Sequence, residues 1–118
     1  NRLIGRLGEQ LTACHLIRKG HKILETNYNV SKTGKIDIIS IDKGMLVLTE
    51  VKTQIAGNGL GELRSHINEN KVDRIVDAVQ HYMKTNELDC DFRFDMGEVI
   101  LGKGRPEINI LKEVTPVY

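Results

Sequence analysis

The chain has 118 residues, 40% of them hydrophobic and 11 of them glycine, the composition of an ordinary globular unit rather than a disordered tail. One domain spanning 1–118 is expected, and no apolar run approaches the roughly 18 residues of a membrane-spanning helix or resembles a secretion signal, so a cytoplasmic protein with no membrane partner is expected. Seventeen Lys and Arg against 16 Asp and Glu leave a net charge of +1, which excludes a strongly basic nonspecific nucleic-acid binder, and the absence of Trp argues against a stacking surface for single strands.

From Arg2 to Lys19, residues Leu3, Leu7, Leu11, Cys14 and Ile17 recur at three- or four-residue steps, with Gly20 after them as a C-terminal cap. This spacing predicts an amphipathic helix. Lys22 to Val30 reads as a strand ending before Ser31, Lys32, Thr33 and Gly34. Lys35 to Ile41 and Met45 to Lys52 are rich in β-branched and large apolar residues, and Asp42, Lys43 and Gly44 between them predict a hairpin turn. Residues 53–62 carry Gly57, Gly59 and Gly61 without an apolar period and read as a loop. A second helix is predicted from Ile67, Val72, Ile75, Val76, Val79, Tyr82 and Met83 on one face, with Asn68 or Asn70 as its cap. Phe92 to Leu101 and Ile108 to Leu111 predict two final strands around a turn at Gly102 to Pro106. The whole is an α/β domain with a mixed sheet.

Chemistry concentrates on the hairpin. The period of two along a strand puts Leu46, Leu48, Glu50 and Lys52 on one face, so a carboxylate and an amine end an otherwise apolar row. If the hairpin loop has an even count, Ile41 opposes Leu46, Ile39 opposes Leu48, and Asp37 opposes Glu50. A three-residue loop would instead set Asp37 and Glu50 on opposite faces, but the even loop also aligns the apolar residues. Directly opposed carboxylates repel at a Cβ separation of about 4.5–5.5 Å, and a divalent cation would explain them. Magnesium takes one or two carboxylates with waters and substrate phosphate, and Lys52 is placed to stabilise phosphate charge or orient a water. The competing reading of Asp37, Glu50 and Lys52 is a surface ion-pair group.

Gly34-Lys35-Ile36-Asp37, followed by Glu50-Val51-Lys52, resembles the metal-site signature of the PD-(D/E)xK nuclease superfamily. Gly5-Arg6-Leu7-Gly8-Glu9, Asn27-Tyr28 and Arg93-Phe94-Asp95 further resemble the YraN-like family of small bacterial proteins within it. The resemblance implies a restriction-endonuclease-like αβββαβ core with a mixed central sheet flanked by helices. It also implies Asp37 and Glu50 as ligands of Mg²⁺ or Mn²⁺, Lys52 as the catalytic lysine and Glu9 as an additional acidic group and metal ligand. Two positions depart from the family pattern: Lys35 stands where Glu commonly precedes Ile-Asp, and Gln54 where Arg often follows the EVK triplet.

The expected activity is a Mg- or Mn-dependent nuclease hydrolysing phosphodiesters in DNA before RNA or tRNA, with Lys71, Arg74, Lys35 and Gln54 as candidate nucleic-acid contacts. The missing starting Met and the two departures admit a nuclease domain of a larger toxin, which would bring an inhibitor protein as partner. The rival is a noncatalytic nucleic-acid- or partner-binding module that keeps the fold. Cys14 and Cys90, without CxxC spacing, read as reduced thiols. His15, His21, His66 and His81 show no metal-ligand spacing and read as structural or surface residues, and Arg93 and Asp95 read as the outer face of a strand.

Overall fold

The computed structural model describes residues 2–29, 35–57 and 69–114, and the side chains of all of these but 69–72. Helix α1 (Arg2–Arg18) is followed by strands β1 (Lys22–Asn29), β2 (Lys35–Asp42) and β3 (Met45–Ile55), helix α2 (Glu69–Thr85), and strands β4 (Phe92–Leu101) and β5 (Glu107–Leu111). The five strands form one sheet in sequence order. β1, β2 and β3 make an antiparallel meander, β3 and β4 run parallel across the α2 connection, and β5 returns antiparallel to β4. This mixed α/β arrangement is consistent with the restriction-endonuclease-like core, with β5 added at its edge.

Local chemistry explains the boundaries. α1 stops at Gly20, whose φ of 98° continues no right-handed helix; the His21 N–H reaches back to the Leu16 carbonyl at 2.9 Å, closing the last turn. Lys43 (φ 52°) and Gly44 (φ 81°) form the two-residue turn with both φ positive that matches the twist of a hairpin. The loop is therefore even, and Ile41 pairs with Leu46 and Ile39 with Leu48 as expected. β3 runs three residues further than its apolar pattern suggests, because Thr53, Gln54 and Ile55 pair with Val99, Ile100 and Leu101 of β4. The remainder of the expected loop, 58–62, lies outside the described residues, as do the Gly34 of the signature and the Asn68 cap.

Two helices cover the sheet by different means. α2 buries Ile75, Ala78, Val79 and Tyr82 in a cluster with Ile39, Leu46, Leu48 and Met96, the apolar face foreseen from its spacing. Each such fully buried aliphatic side chain is worth about 1.5–3 kcal/mol relative to exposure. α1 corrects the expectation: Leu3 and Ile17 remain 74% and 55% exposed, while Gly8, Thr12 and Leu16 are buried. The packing face is thus rotated from the Leu3–Ile17 stripe to a row of small residues that allows close approach. The Thr12 hydroxyl donates to the Gly8 carbonyl at 2.8 Å, its methyl meets Gly97 of β4, and a Cβ at Gly8 would collide with Thr53 of β3. Among the described residues no helix is long and apolar enough to cross a membrane. Cys14 and Cys90 are unbonded, Cys14 exposed and Cys90 half-buried.

Candidate active site

The ladder between β2 and β3 ends at the pair Ile38–Thr49, one step short of Asp37 and Glu50. There the Asp37 side chain takes over from the backbone: its Oδ2 accepts the Val51 N–H at 2.8 Å. Asp37 and Glu50 are accordingly not two bare carboxylates facing each other, as the extrapolated register suggests. Both border a small void of about 10 Å³ whose exposed lining is mainly apolar, with Leu48, Phe94 and Ile75 around it. Both side chains are largely shielded, 15% and 14% exposed.

Cations stand beside each carboxylate. The Lys52 ammonium lies 3.8 Å from Glu50 Oε1, on the solvent side. The Lys35 ammonium lies 3.5 Å from Asp37 Oδ1 and 3.4 Å from Glu9 Oε2, so it bridges α1 to β2. Glu9 is brought into this group because α1 packs through Gly8; it is mostly covered rather than solvated, and its Oε1 is buried without a hydrogen-bond partner. These contacts form two groups, Glu9–Lys35–Asp37 and Glu50–Lys52, where the β2–β3 ladder ends. Such partly exposed pairs each contribute little to stability, about 0–1 kcal/mol. Their significance is the accumulation of three shielded carboxylates around mobile ammonium groups.

The other candidates separate from this group. Gln54 lies two residues past Lys52, half-buried in β3 beside Ile100. Arg74 is exposed on α2, and the Lys71 side chain lies outside the described residues. By the β3–β4 register Lys52 neighbours Glu98, a buried carboxylate that sequence spacing alone did not single out. Only the parallel pairing, invisible in local pattern, brings it there.

Arg93 and Asp95 do not form an outer face. Asp95 is fully buried, and Arg93 Nε donates to its Oδ1 at 3.0 Å while Nη2 donates to Asp42 Oδ2 at 3.2 Å. The Glu113 N–H donates to Asp95 Oδ1 at 3.1 Å, tying down the segment after β5. His21 joins the network through Ser40 at 2.9 Å and Asp42 at 3.6 Å. Burial is the largest influence on His21 and holds its pKa below the ordinary histidine value, with the Asp42 charge opposing it. Burial would raise the Asp42 carboxyl, but the Arg93 hydrogen bond and the nearby His21 and Arg93 charges outweigh it and hold the carboxyl below the usual range. This is structural glue, consistent with the reading of His21; His66 lies outside the described residues.

The model of a family described as "Uncharacterised protein family UPF0102" matches residues 8–99, a span that takes in Glu9, Lys35, Asp37, Glu50 and Lys52. A UPF0102 protein of Alkaliphilus metalliredigens is 38% identical over 101 residues, covering 85% of this chain and 87% of the relative. One from Flavobacterium psychrophilum is 36% identical over 107 residues, 91% of this chain and 87% of the relative. A third, from Alkaliphilus oremlandii, is 38% identical over 112 residues, 92% and 94% of the two chains.

Proposed function

The chain belongs to the uncharacterised protein family UPF0102, and from that premise we propose that it is a divalent-metal-dependent nuclease of the PD-(D/E)xK type acting on DNA. The observation that carries the reading is that Asp37 and Glu50, from adjacent strands, come together where the β2–β3 ladder ends, while Lys52 stands against Glu50 and Lys35 against Asp37. The donor chemistry fits Mg²⁺ or Mn²⁺, which favour hard oxygen ligands, and the buried Glu9 Oε1 is an acceptor without a protein donor. Among the described residues no three His, Cys, Asp or Glu groups are placed to hold a metal ion together, so an ion at Asp37 and Glu50 would need water and phosphate oxygens to complete its shell. Asp37 and Glu50 would hold the ion, with Glu9 the further acidic group; the ion would supply Lewis acidity and charge neutralisation at the scissile phosphate.

The protein's own groups do the rest. Val51 fixes the Asp37 carboxylate through its N–H, so one oxygen is oriented while the other faces Lys35. Lys52, partly exposed and flexible, is within reach of a phosphate placed at Glu50 and can neutralise charge that develops there or orient the attacking water. Lys35 is the feature that favours the noncatalytic rival, since its ammonium already offsets the charges of Glu9 and Asp37. Labelled duplex DNA, single-stranded DNA, branched DNA and tRNA, each incubated with Mg²⁺, Mn²⁺ or EDTA, decide between them. Cleavage is expected with metal, none in EDTA, and at least a hundredfold loss in Glu50→Ala and Lys52→Ala. A folded protein that cuts none of these substrates with either ion, or variants that keep full activity, would reject the nuclease reading.

A further inference from the structure

A groove of about 720 Å³ opens between α1 and the strands β1 and β2. Arg2, Arg6 and Gln10 of α1 line one wall, Asn27 and Asn29 of β1 and Lys35 of β2 the other. All six are exposed, and Glu9 and Lys35 belong both to the groove and to the carboxylate group, so the groove runs directly into the candidate active site.

Neither the Arg2 nor the Arg6 guanidinium has an ion pair among the described residues. Arg2 and Arg6, with Lys35 across the groove held between Glu9 and Asp37, outnumber Glu9, the one carboxylate of the lining among the described residues, in a chain of almost no net charge. Arg2 and Arg6 are one helical turn apart, about 6 Å along the axis, comparable with the spacing of neighbouring phosphates along a strand. Among the described residues the lining contains no aromatic side chain: Tyr28, between the two asparagines, turns inward onto Tyr82 with ring centroids 5.0 Å apart.

We propose that this groove binds one nucleic-acid strand by its phosphates, through Arg2, Arg6 and Lys35, without reading its bases, and leads it to Glu9 and Asp37. The amides of Gln10, Asn27 and Asn29 supply neutral hydrogen bonds to phosphate and sugar oxygens, and with nothing to stack on, base identity carries no weight. The proposal rests on the nuclease reading for what happens at the end of the groove, but strand binding is measurable without it.

The test is binding of fluorescently labelled single-stranded DNA, RNA of the same sequence and the corresponding duplex, in EDTA, over a range of salt. It compares wild type, the double variant Arg2→Ala/Arg6→Ala, and Arg105→Ala. The double variant should bind more weakly, and its log–log salt slope should fall by about 1.4 on single strands or 1.8 on the duplex, two phosphates' worth. Arg105→Ala, at an exposed cation of the β4–β5 turn outside the groove lining, should match wild type, and wild type should bind homopolymeric and mixed sequences alike. The melting temperature of the double variant should be unchanged, since both side chains are exposed, which separates lost binding from lost fold. Equal slopes for wild type and double variant, or no binding by wild type to any strand, overturns the groove even if cleavage is found. Groove-dependent binding without cleavage under any metal upholds the groove and removes the nuclease reading.

Discussion

Asp37 shows how one side chain changes the meaning of a register. Alternation and pairing set it opposite Glu50, an arrangement that invites repulsion; the protein instead ends the ladder there and uses the carboxylate as acceptor for Val51 and partner for Lys35. Asp37→Asn keeps an oxygen for the Val51 N–H and loses only the charge, whereas Asp37→Ala leaves that partly buried donor without its acceptor. Melts in EDTA should therefore place the Asn variant near wild type and the Ala variant about 1–3 kcal/mol lower. Added Mn²⁺ should stabilise wild type by mass action and the Asn variant much less. Equal responses to Mn²⁺ would remove Asp37 from the metal site, and equal melts in EDTA would remove the Val51 hydrogen bond from the stability of the hairpin.

At the level of elements, the docking of α1 depends on what Gly8 lacks. Gly8→Ala would drive a methyl into Thr53, whose hydroxyl is buried without a partner, and should cost about 1–3 kcal/mol by overpacking. Thr53→Ala alone should change stability little, and combining the two should recover much of the loss, a coupling that urea denaturation of the four proteins reads directly. Additive losses would place the strain of Gly8→Ala elsewhere than Thr53. The same contact explains what could be read from sequence and what could not. The hairpin was legible because Lys43-Gly44 specifies its own turn and the Ile and Leu rows confirm the register. The core face of α2 was legible from Ile75, Val79 and Tyr82. The core face of α1 was not, because Gly8 and Thr12 pack by close approach and carry no hydrophobic signal, while Leu3, Leu7 and Ile17 imitate one. That single misreading left the Arg2–Arg6 wall unnoticed, and Glu9 entered the candidate site through the family resemblance alone. Glu98 and Asp95 were hidden for a different reason: their burial follows from the parallel β3–β4 pairing, which no local pattern encodes.

For the whole molecule, the His21–Asp42–Arg93–Asp95 network joins the end of α1, β2, β4 and the chain beyond β5. Because folding holds the His21 ring neutral, the unfolded chain binds more protons just below pH 6.5, and stability falls as the pH drops through that value. His15, lowered by burial and then by Lys19 and Arg18, adds to the same slope. Between pH 7 and 5 the melting temperature should fall, and His21→Gln should flatten that fall without abolishing it; an unchanged slope would take His21 out of the pH response. The sheet order has a kinetic consequence as well. β1, β2 and β3 are joined by short connections, but the parallel partners Leu46 and Phe92 meet only after α2 and its flanking segments have been spanned, a slow closure dominated by chain entropy. α1 seats against Thr53 of β3 and Gly97 of β4 together, so its docking waits on that closure. A chain emerging during synthesis would hold the hairpin with Asp37 and Glu50 well before Glu9 and the arginine wall arrive beside it. If the groove binds a strand as proposed, assembly order would act as a safety catch: the incomplete chain would have its carboxylates but no track on which to draw that strand in.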